Sequence, residues 1–429
     1  MSPAVTAGVS REEKRELKAT HKAYQDTAVD ELTEAMSLDE ALRYGSLKNA
    51  SLRAAFYRWK ASVHDVKQST SLEDPQVSFK LGIEHVETRL GPQEDAYSVS
   101  QHLPFPGKLY IQGKEAVAMS RQKYAEYQMI KLQYFYELKD AYYEYWFLYK
   151  NILVTEKNSE FLKRFEGVAQ SQFKSGIASN QDLLKAQVEL GKLENDILTL
   201  NDYRKPITAR LNAVLNRDVE MSIGWPEEID HEVKPLDERL VYEKFHGNNP
   251  DLEGAAQRIE ETKKKVWLAR LDYLPDVNVS FDYISIGNGP VNVPDNGRDA
   301  ASVMFKVNVP LWYGKQKSQV DEAKALRESA ESEHEQLENN LSAKIKMVYF
   351  QIENAERQIN LYRNALIPKA EQSLNASETA YSGGRVDFLN LIDSQRTLLN
   401  FQLSYYKAIR DYEQRLAELE MMVGESLRG

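Results

Sequence analysis

The fold is decided by two short stretches, Phe173-Lys174-Ser175-Gly176 and Tyr381-Ser382-Gly383-Gly384, because the second repeats the first 208 positions later. Three further matches keep the same order along the chain. They are Asn49-Ala50-Ser51-Leu52 with Asn249-Pro250-Asp251-Leu252 and Pro75 with Pro275, both at an offset of 200, and Gly107-Lys108 with Gly314-Lys315 at 207. The small drift of these offsets predicts two copies of a unit of about 200 residues.

Each copy is predicted to run through the same elements: a helical start, a strand hairpin, a very long helix, a tip turn and a coiled-coil helix. The capping box from Ser37 to Glu40 begins the first copy, and Asn249-Pro250 begins a helix in the second. We therefore expect an N-terminal extension over residues 1–36, a first repeat over 37–216, an equatorial connector over 217–235 and a second repeat over 236–429.

The long helices are predicted from spans without helix-breaking residues. Between Pro106 and Pro206 the sequence has no proline, and a helix of this span is roughly 100 Å long. We expect Pro368 to kink the second long helix. The expected bounds are a hairpin at 75–105, a long helix at 108–175 and a coiled-coil helix at 181–215, then a hairpin at 275–311, a long helix at 315–380 and a coiled-coil helix at 389–424.

An a/d heptad seam follows each tip turn and predicts coiled-coil packing. The positions are spaced 3, 4, 3, 4, 3 in both copies. They are Leu183, Ala186, Leu190, Leu193, Ile197 and Leu200, repeated 208 positions later by Leu391, Ser394, Leu398, Phe401, Tyr405 and Ala408.

The strands alternate apolar and polar residues, which predicts sheets with one apolar and one polar face. Four strands cannot close a barrel, since about eight are needed, and an open sheet would expose its edges. Three chains would supply twelve strands, with the apolar face toward lipid and the polar face toward a wet lumen. The lipid-facing set is then Val277, Phe281, Phe305 and Val307, and the lumen-facing set is Lys80, Asp282 and Lys306. The pattern alone leaves open a soluble sheet that packs its apolar face on helices.

Composition removes several classes of protein. The net charge is −10 and argues against a nucleic-acid binder. No cysteine is present, so disulfides, thiolate metal sites and a cysteine nucleophile are excluded. None of the seven histidines has a helical metal-site partner at three or four residues, and we find no catalytic motif. We expect no enzyme, no cofactor and no metal site.

The N-terminus lacks the apolar segment of a secretory signal. No stretch approaches the roughly 20 apolar residues of a membrane helix. The expectation from these residues is either an internal protein or a mature form whose signal has been removed.

The duplicated order of elements resembles the TolC-type outer membrane factors, the outer membrane efflux protein family of Gram-negative bacteria. The resemblance extends from about Ser37 to Gly424. Its most specific stretches are YSGGRVDFLNLIDSQRTL at 381–398, FKSGIASNQDLLKAQ at 173–187 and the two proline turns LPFPGK at 103–108 and VPLWYGK at 309–315.

The resemblance implies a homotrimer in the outer membrane that extends into the periplasm. The implied fold is mainly α with a small β part: a long-helix coiled-coil α-barrel continued by a twelve-stranded transmembrane β-barrel. Such a protein would be the exit duct of a tripartite efflux pump or a type I secretion system. Its implied partners are a periplasmic adaptor protein, an inner-membrane pump and outer-membrane lipid, without nucleic acid.

The resemblance also implies a gate at the helical tip, with tip turns at Gly176 and Gly384. Tyr381 and Asp182 match residues that link neighbouring coiled coils, and a hydrogen bond between them is expected. Arg385 lies one position before the arginine of the family, a slot that Val386 fills. Asp393 matches one acidic position of the pore ring, whereas the other position is Asn390. The plainer alternative is that all of these are solvated tip residues.

Two other functions are compatible with the pattern. One is a soluble coiled-coil scaffold or interaction protein with a small β-sheet cap, which would be fully soluble after cell lysis. The other is a secreted pore-forming protein, which would be released from the cell. A channel in the outer membrane would instead require detergent for its extraction.

Overall fold

The computed structural model describes residues 10–25, 36–176, 179–229, 236–290 and 294–428. The fold is mainly helical with one antiparallel sheet, which confirms the predicted fold class. The elements are α1 (Arg11–Gln25), α2 (Leu38–Lys48), α3 (Ala50–Ser69), β1 (Gln76–Thr88), β2 (Gly91–Leu103), α4 (Lys108–Lys174), α5 (Asn180–Val214), α6 (Glu238–Asn248), α7 (Pro250–Leu271), β3 (Val277–Ile286), β4 (Ala300–Val307), α8 (Tyr313–Leu361), a π-helical segment (Tyr362–Leu366), α9 (Ile367–Ser382) and α10 (Phe388–Val423).

Equivalent asparagines begin α3 and α7. The side-chain oxygen of Asn49 accepts from the backbone N–H of Leu52 at 3.0 Å, and Asn249 accepts from that of Leu252 at 2.9 Å. Each asparagine also donates to the C-terminal end of a coiled-coil helix. Asn49 donates to the Val214 carbonyl at 3.2 Å, and Asn249 donates to the Met422 carbonyl at 2.6 Å. The same contact is thus made twice, at the offsets seen in the sequence.

The compact units of the structure differ from the sequence repeats. The first unit comprises Met1–Leu17, Tyr57–Ala125 and Glu253–Gln336, and the second comprises Lys18–Phe56, Glu126–Leu252 and Leu337–Gly429. Each unit therefore takes segments from both repeats.

The first unit contains the sheet, whose strand order is β1-β2-β3-β4. All neighbouring strands are antiparallel, and the register places Val99 opposite Phe281 and Phe281 opposite Val303. Residues opposite one another share a face. The apolar residues consequently form one continuous face, and Phe281, Phe305 and Val307 remain 51%, 68% and 49% exposed in the single chain.

The second unit is built on the long helices and contains the larger apolar clusters. Trp146, Phe245 and Tyr412 belong to one cluster, and Tyr142 and Leu211 belong to another. On the coiled-coil helices the heptad positions are buried or half-buried, including Ala186, Leu391 and Leu398. Long helices gain most of their stability from packing, and burial of this apolar stripe holds neighbouring helices together side by side.

The two long helices differ in continuity. Helix α4 runs without interruption for 67 residues. Its counterpart is broken by the five-residue π-helical segment Tyr362–Leu366, directly before Ile367-Pro368 at the start of α9. Proline removes a backbone donor and clashes with the preceding turn, and a π-helical turn is a common local solution. A π-helical segment therefore lies directly before Pro368, and the kink expected at this proline stays a prediction.

Helix α1 lies in the N-terminal extension and was not expected. Its start is a capping box in which Ser10 Oγ accepts from the Glu13 backbone N–H at 3.0 Å and the Glu13 carboxylate accepts from the Ser10 N–H at 2.5 Å. Glu16 accepts a hydrogen bond from the Tyr124 hydroxyl at 2.5 Å.

Over the described ranges, no helix has both the length and the apolar character needed to cross a membrane.

The double contact of Asn249 generates a prediction about stability. Asn249 is 3% exposed, so Asn249→Ala removes a helix cap and leaves the Met422 carbonyl unpaired. We expect a loss of about 1–3 kcal/mol, measured as a lower midpoint of thermal unfolding in detergent. The control is Asn248→Ala, which removes an exposed contact to Glu425 and should change the midpoint little. Equal losses in both variants would contradict the role assigned to Asn249.

Candidate functional site

The helical tip begins with two glycine turns. Gly176 and Gly384 have φ values of +75° and +66°, a region that L side chains rarely adopt. After α9 the backbone N–H of Arg385 donates to the Ala380 carbonyl at 2.8 Å, and that of Gly384 donates to the Tyr381 carbonyl at 2.9 Å. This pair of bonds is the Schellman motif, which ends the helix and reverses the chain.

Side-chain caps start the two helices that leave the tip. Ser179 caps α5 by accepting from the Asp182 backbone N–H at 3.2 Å, and the Asp182 carboxylate accepts from the Ser179 backbone N–H at 3.3 Å and hydroxyl at 2.9 Å. At the equivalent place in the second repeat, Asp387 caps α10 and accepts from the Asn390 backbone N–H at 3.2 Å and side-chain amide at 2.9 Å. Asp182 and Asn390 therefore occupy the same structural position, 208 residues apart.

Tyr381 lies beneath the second turn and is only 3% exposed. Its ring packs against Phe388 and Phe165, with centroid distances of 5.4 and 6.4 Å. Burial raises the pKa of the Tyr381 hydroxyl, and the negative charge of Asp182 raises this pKa further. Within the described residues the hydroxyl has no hydrogen-bond partner. The structure thus brings Tyr381 near Asp182 without a hydrogen bond between them, and one oxygen of the Asp182 carboxylate accepts from Ser179 instead.

The core below the turns joins four helices. It includes Leu162 and Phe165 of α4, Ala186 of α5, Leu374 of α9 and Leu391 of α10. A buried polar pair adds specificity, since the Gln395 side-chain amide donates to the backbone and side-chain oxygens of Asn158 at 3.1 and 3.2 Å. Buried polar groups that pair in this way favour a single packing arrangement of the helices.

An ion pair connects the two repeats just behind the tip. Arg396 of α10 lies 2.9 Å from the Glu189 carboxylate of α5, which Lys192 also contacts at 2.9 Å. Partial burial alone would raise the pKa of Glu189, but hydrogen bonds from Lys192 and Arg396 lower it below its ordinary value. The tip is therefore held by a cross-repeat contact that the sequence analysis did not identify.

The remaining predicted residues lie on the exposed surface of the tip. Arg385, Asn390 and Asp393 are exposed. Among the described residues, neither Arg385 nor Asp393 forms an ion pair in the single chain, so both charges are available to another molecule. Within the same ranges, no group of three or more histidine, aspartate or glutamate side chains could hold a metal ion.

Sequence reasoning missed Ser179, Asp387, Glu189 and Arg396. The first two carry a local signal, an N-cap residue followed three positions later by a polar partner. Glu189 and Arg396 lie 207 positions apart and have no local signal, since their contact depends on how α5 packs against α10.

The unpaired hydroxyl of Tyr381 generates the second prediction. Tyr381→Phe keeps the ring contacts and removes a buried polar group, so the stability of the fold should stay within about 0.5 kcal/mol or rise. Tyr381→Ala opens a cavity and should cost about 3–5 kcal/mol. Urea unfolding of the purified protein in detergent compares the two variants. A large loss in Tyr381→Phe would mean that the hydroxyl has a partner in the assembled protein.

Comparison with known proteins agrees with this architecture. Residues 241–425 match the family model described as outer membrane efflux protein. The chain is 21% identical to the cobalt-zinc-cadmium resistance protein CzcC of Cupriavidus metallidurans, in a match that spans 62% of each protein. The chain therefore matches less than two thirds of the length of this curated relative.

Solved structures share the fold over almost the whole chain. VceC of Vibrio cholerae, an outer membrane protein, superposes with a TM-score of 0.74 at 18% identity, covering 91% of this chain and 97% of VceC. The outer-membrane channel OprN gives 0.77 at 18% identity, covering 95% and 92%, and CusC gives 0.79 at 12% identity, covering 94% and 96%. OprN is described as an outer-membrane channel, and CusC as a protein that forms a transmembrane channel. The second repeat thus matches the outer membrane efflux protein family, and the chain as a whole shares its fold with these outer membrane proteins.

Proposed function

We propose that the protein is one subunit of a homotrimeric outer-membrane channel, the exit duct of a tripartite efflux pump or a type I secretion system. The observation that carries the proposal is the sheet, whose apolar face is exposed and whose outer strands β1 and β4 each have only one neighbour. Three copies supply twelve strands. A closed ring of these strands would pair both edges and place the apolar face in lipid.

The helices support side-by-side assembly as well. Apolar residues remain more than half exposed along α5 and α8, at spacings that place them on one side of each helix. These residues are Leu184, Val188 and Leu198 on α5 and Met347 and Phe350 on α8. Contact between copies through these stripes would form the wall of a helical tunnel.

The proposed location is the outer membrane of a Gram-negative bacterium, with the helical tip in the periplasm. The sheet would span the membrane and contact its lipid. The tip would meet a periplasmic adaptor protein and, through it, an inner-membrane pump. The exposed polar residues of the tip, among them Arg385 and Asn390, support docking to a polar partner surface.

The proposed substrate class is heavy-metal cations. Its support is the match to a protein named for cobalt, zinc and cadmium resistance. Deletion of the gene should lower the tolerated concentrations of these metals and leave tolerance of bulky antibiotics unchanged. The opposite pattern would assign the duct to a drug exporter.

We also propose that the tip is the gate. Asp182, Tyr381 and Arg385 would hold the hairpins closed, with turns at Gly176 and Gly384, while Asp393 would face the pore and Asn390 would lie at the second ring position. The support is that Arg385 and Asp393 are exposed and unpaired within the described part of the chain, next to a well-packed core.

The alternative of a soluble scaffold makes a different prediction for the whole protein. A scaffold would be recovered in the soluble fraction after lysis, whereas the channel would need detergent and would run as a trimer whose mobility in SDS depends on heating. A stable monomer that retains its β signal in detergent would overturn the channel.

The two faces of β4 provide a third prediction with a matched control. Phe305 and Met304 are neighbours on opposite faces and are 68% and 55% exposed. Phe305→Arg places a charge on the lipid side and should cost about 2–4 kcal/mol near the membrane midplane. Met304→Arg points into the wet lumen and should be tolerated. The measurement is the yield of heat-modifiable trimer in outer-membrane fractions, and equal yields or the reverse order would contradict the assigned faces.

The fourth prediction concerns the gate. Arg385→Ser combined with Tyr381→Phe should raise single-channel conductance in planar bilayers and sensitise cells to bulky antibiotics, because each closing contact occurs three times in a trimer. The control Arg385→Lys keeps the charge and should keep the conductance low.

Asp393 should affect selectivity instead of opening. Three copies would form a ring of negative charge that attracts cations, so Asp393→Ala should weaken cation selectivity without raising conductance. Unchanged conductance in the double variant together with unchanged selectivity in Asp393→Ala would remove the gate from these hairpins.

A further inference from the structure

An ion-pair cluster around the buried Lys108 side chain joins the two strands at which the repeats meet inside the chain. The Lys108 ammonium lies 3.1 Å from the Asp272 carboxylate and 3.0 Å from the Asp276 carboxylate. Asp276 also accepts from the backbone N–H of Phe105 at 2.7 Å. Lys108 follows β2 and Asp276 precedes β3, so this clamp fixes the end of one strand to the beginning of the next.

The counterpart of Lys108 in the second repeat has no such partner. Lys108 and Lys315 occupy equivalent turns, because their backbone N–H groups donate to the Phe105 carbonyl at 3.0 Å and the Trp312 carbonyl at 2.9 Å respectively. Lys108 is buried, whereas Lys315 is exposed. Across the described residues Lys315 makes no ion pair. The lysine equivalent to the one in the internal clamp is therefore exposed beside the free edge of β4.

The other half of the clamp is displayed beside the free edge of β1. Val77-Ser78-Phe79 recurs as Val279-Ser280-Phe281 at an offset of 202. The proline after β2, Pro104, recurs as Pro310 at 206. Adding 202 to Val77 gives Val279, and adding 206 to Val99 gives Phe305. Val77 pairs with Val99 in the sheet, and Val279 pairs with Phe305, so the two offsets preserve the pairing of the strands.

At the strand offset of 202, which is two more than the offset that relates Pro75 to Pro275, the counterpart of Asp276 is Asp74. Asp74 is exposed and, within the described ranges, makes no ion pair. Lys315 beside the free edge of β4 and Asp74 beside the free edge of β1 are therefore the counterparts of Lys108 and Asp276, which form the ion pair inside the chain.

Resting on the proposed trimer, we propose that β4 of one copy pairs with β1 of the next in the register of the internal β2–β3 pair, and that Lys315 binds Asp74 of the next copy. The internal pairs Gln101–Val279, Val99–Phe281 and Tyr97–Tyr283 translate into three pairs between copies. These are Val307 with Val77, Phe305 with Phe79 and Val303 with Leu81.

This register suits the chemistry of both faces. All six side chains of the three pairs are apolar and between 49% and 77% exposed in the single chain, so the pairing continues the apolar face across the boundary. On the opposite face it places Lys306 beside Ser78, without a like charge. The Lys315–Asp74 contact lies just outside the strands, as the internal clamp does.

Cysteine pairs test the register directly, because the chain has no cysteine of its own. Ser78→Cys is kept constant and combined in turn with Met304→Cys and Lys306→Cys in β4 and with Asn308→Cys and Pro310→Cys just beyond its end, which step the register by two residues. After oxidation in native membranes, we expect covalent trimers from Ser78→Cys with Lys306→Cys, in several-fold excess over the other three combinations.

The outcomes separate the register from the assembly. Strongest cross-linking with Met304→Cys, Asn308→Cys or Pro310→Cys would overturn the register and leave the trimer intact. A trimer by native mass spectrometry with no cross-link in any combination would overturn the pairing of β4 with β1. A monomer in detergent would overturn the proposed function itself.

Charge reversal tests the ion pair. Lys315→Glu and Asp74→Lys should each lower, by several degrees, the temperature at which the trimer dissociates in SDS, and the double variant should restore it. Lys317→Glu makes the same charge change two residues further on and should have no effect. Lys315 and Asp74 are both exposed in the single chain, so the subunit should still fold in each variant. A double variant no better than the single variants would overturn the contact.

Discussion

The unpaired backbone groups along the two outer strands are the constraint on which the rest of the structure depends. A four-stranded sheet leaves two edges and, here, one uncovered apolar face. In a membrane neither can remain, since an unsatisfied backbone group in hydrocarbon costs several kcal/mol. In the proposed channel, further copies of the chain would therefore pair these edges. The long helices face the same condition, because their apolar stripes exceed what one chain can bury.

Regular elements could be predicted from the sequence because their signals are local. The alternation of Val277 to Tyr283, the cap at Asn249 and the glycine of the Schellman turn at Gly384 each depend on neighbours a few residues away. Contacts between distant segments could not be predicted in this way. Lys108 with Asp276 and Arg396 with Glu189 carry no periodicity, and their existence depends on packing that only the folded chain determines. Helix α1 shows an intermediate case, since its capping box was present in the sequence but its apolar residues are few, namely Leu17, Ala19, Ala23 and Tyr24.

The candidate site shows the same division. The resemblance to the family placed Tyr381 and Asp182 near one another, and the structure does so. The hydrogen-bonding state of each was not predictable from position, because Asp182 is the N3 residue of a capping box and one of its carboxylate oxygens accepts from Ser179.

The π-helical segment at Tyr362–Leu366 gives the two repeats different mechanical properties. A π-helical turn weakens the regular ladder of hydrogen bonds and is a common place for a helix to bend. The first hairpin follows α4, a 67-residue helix without a π-helical segment. The second hairpin, which carries Tyr381 and Asp393, follows the helix that the π-helical segment interrupts. In a ring of three copies, three uninterrupted helices would alternate with three helices that contain a π-helical segment. Any widening of the tip would then come from bending of the second repeat in each copy, at three positions in the ring and not at six.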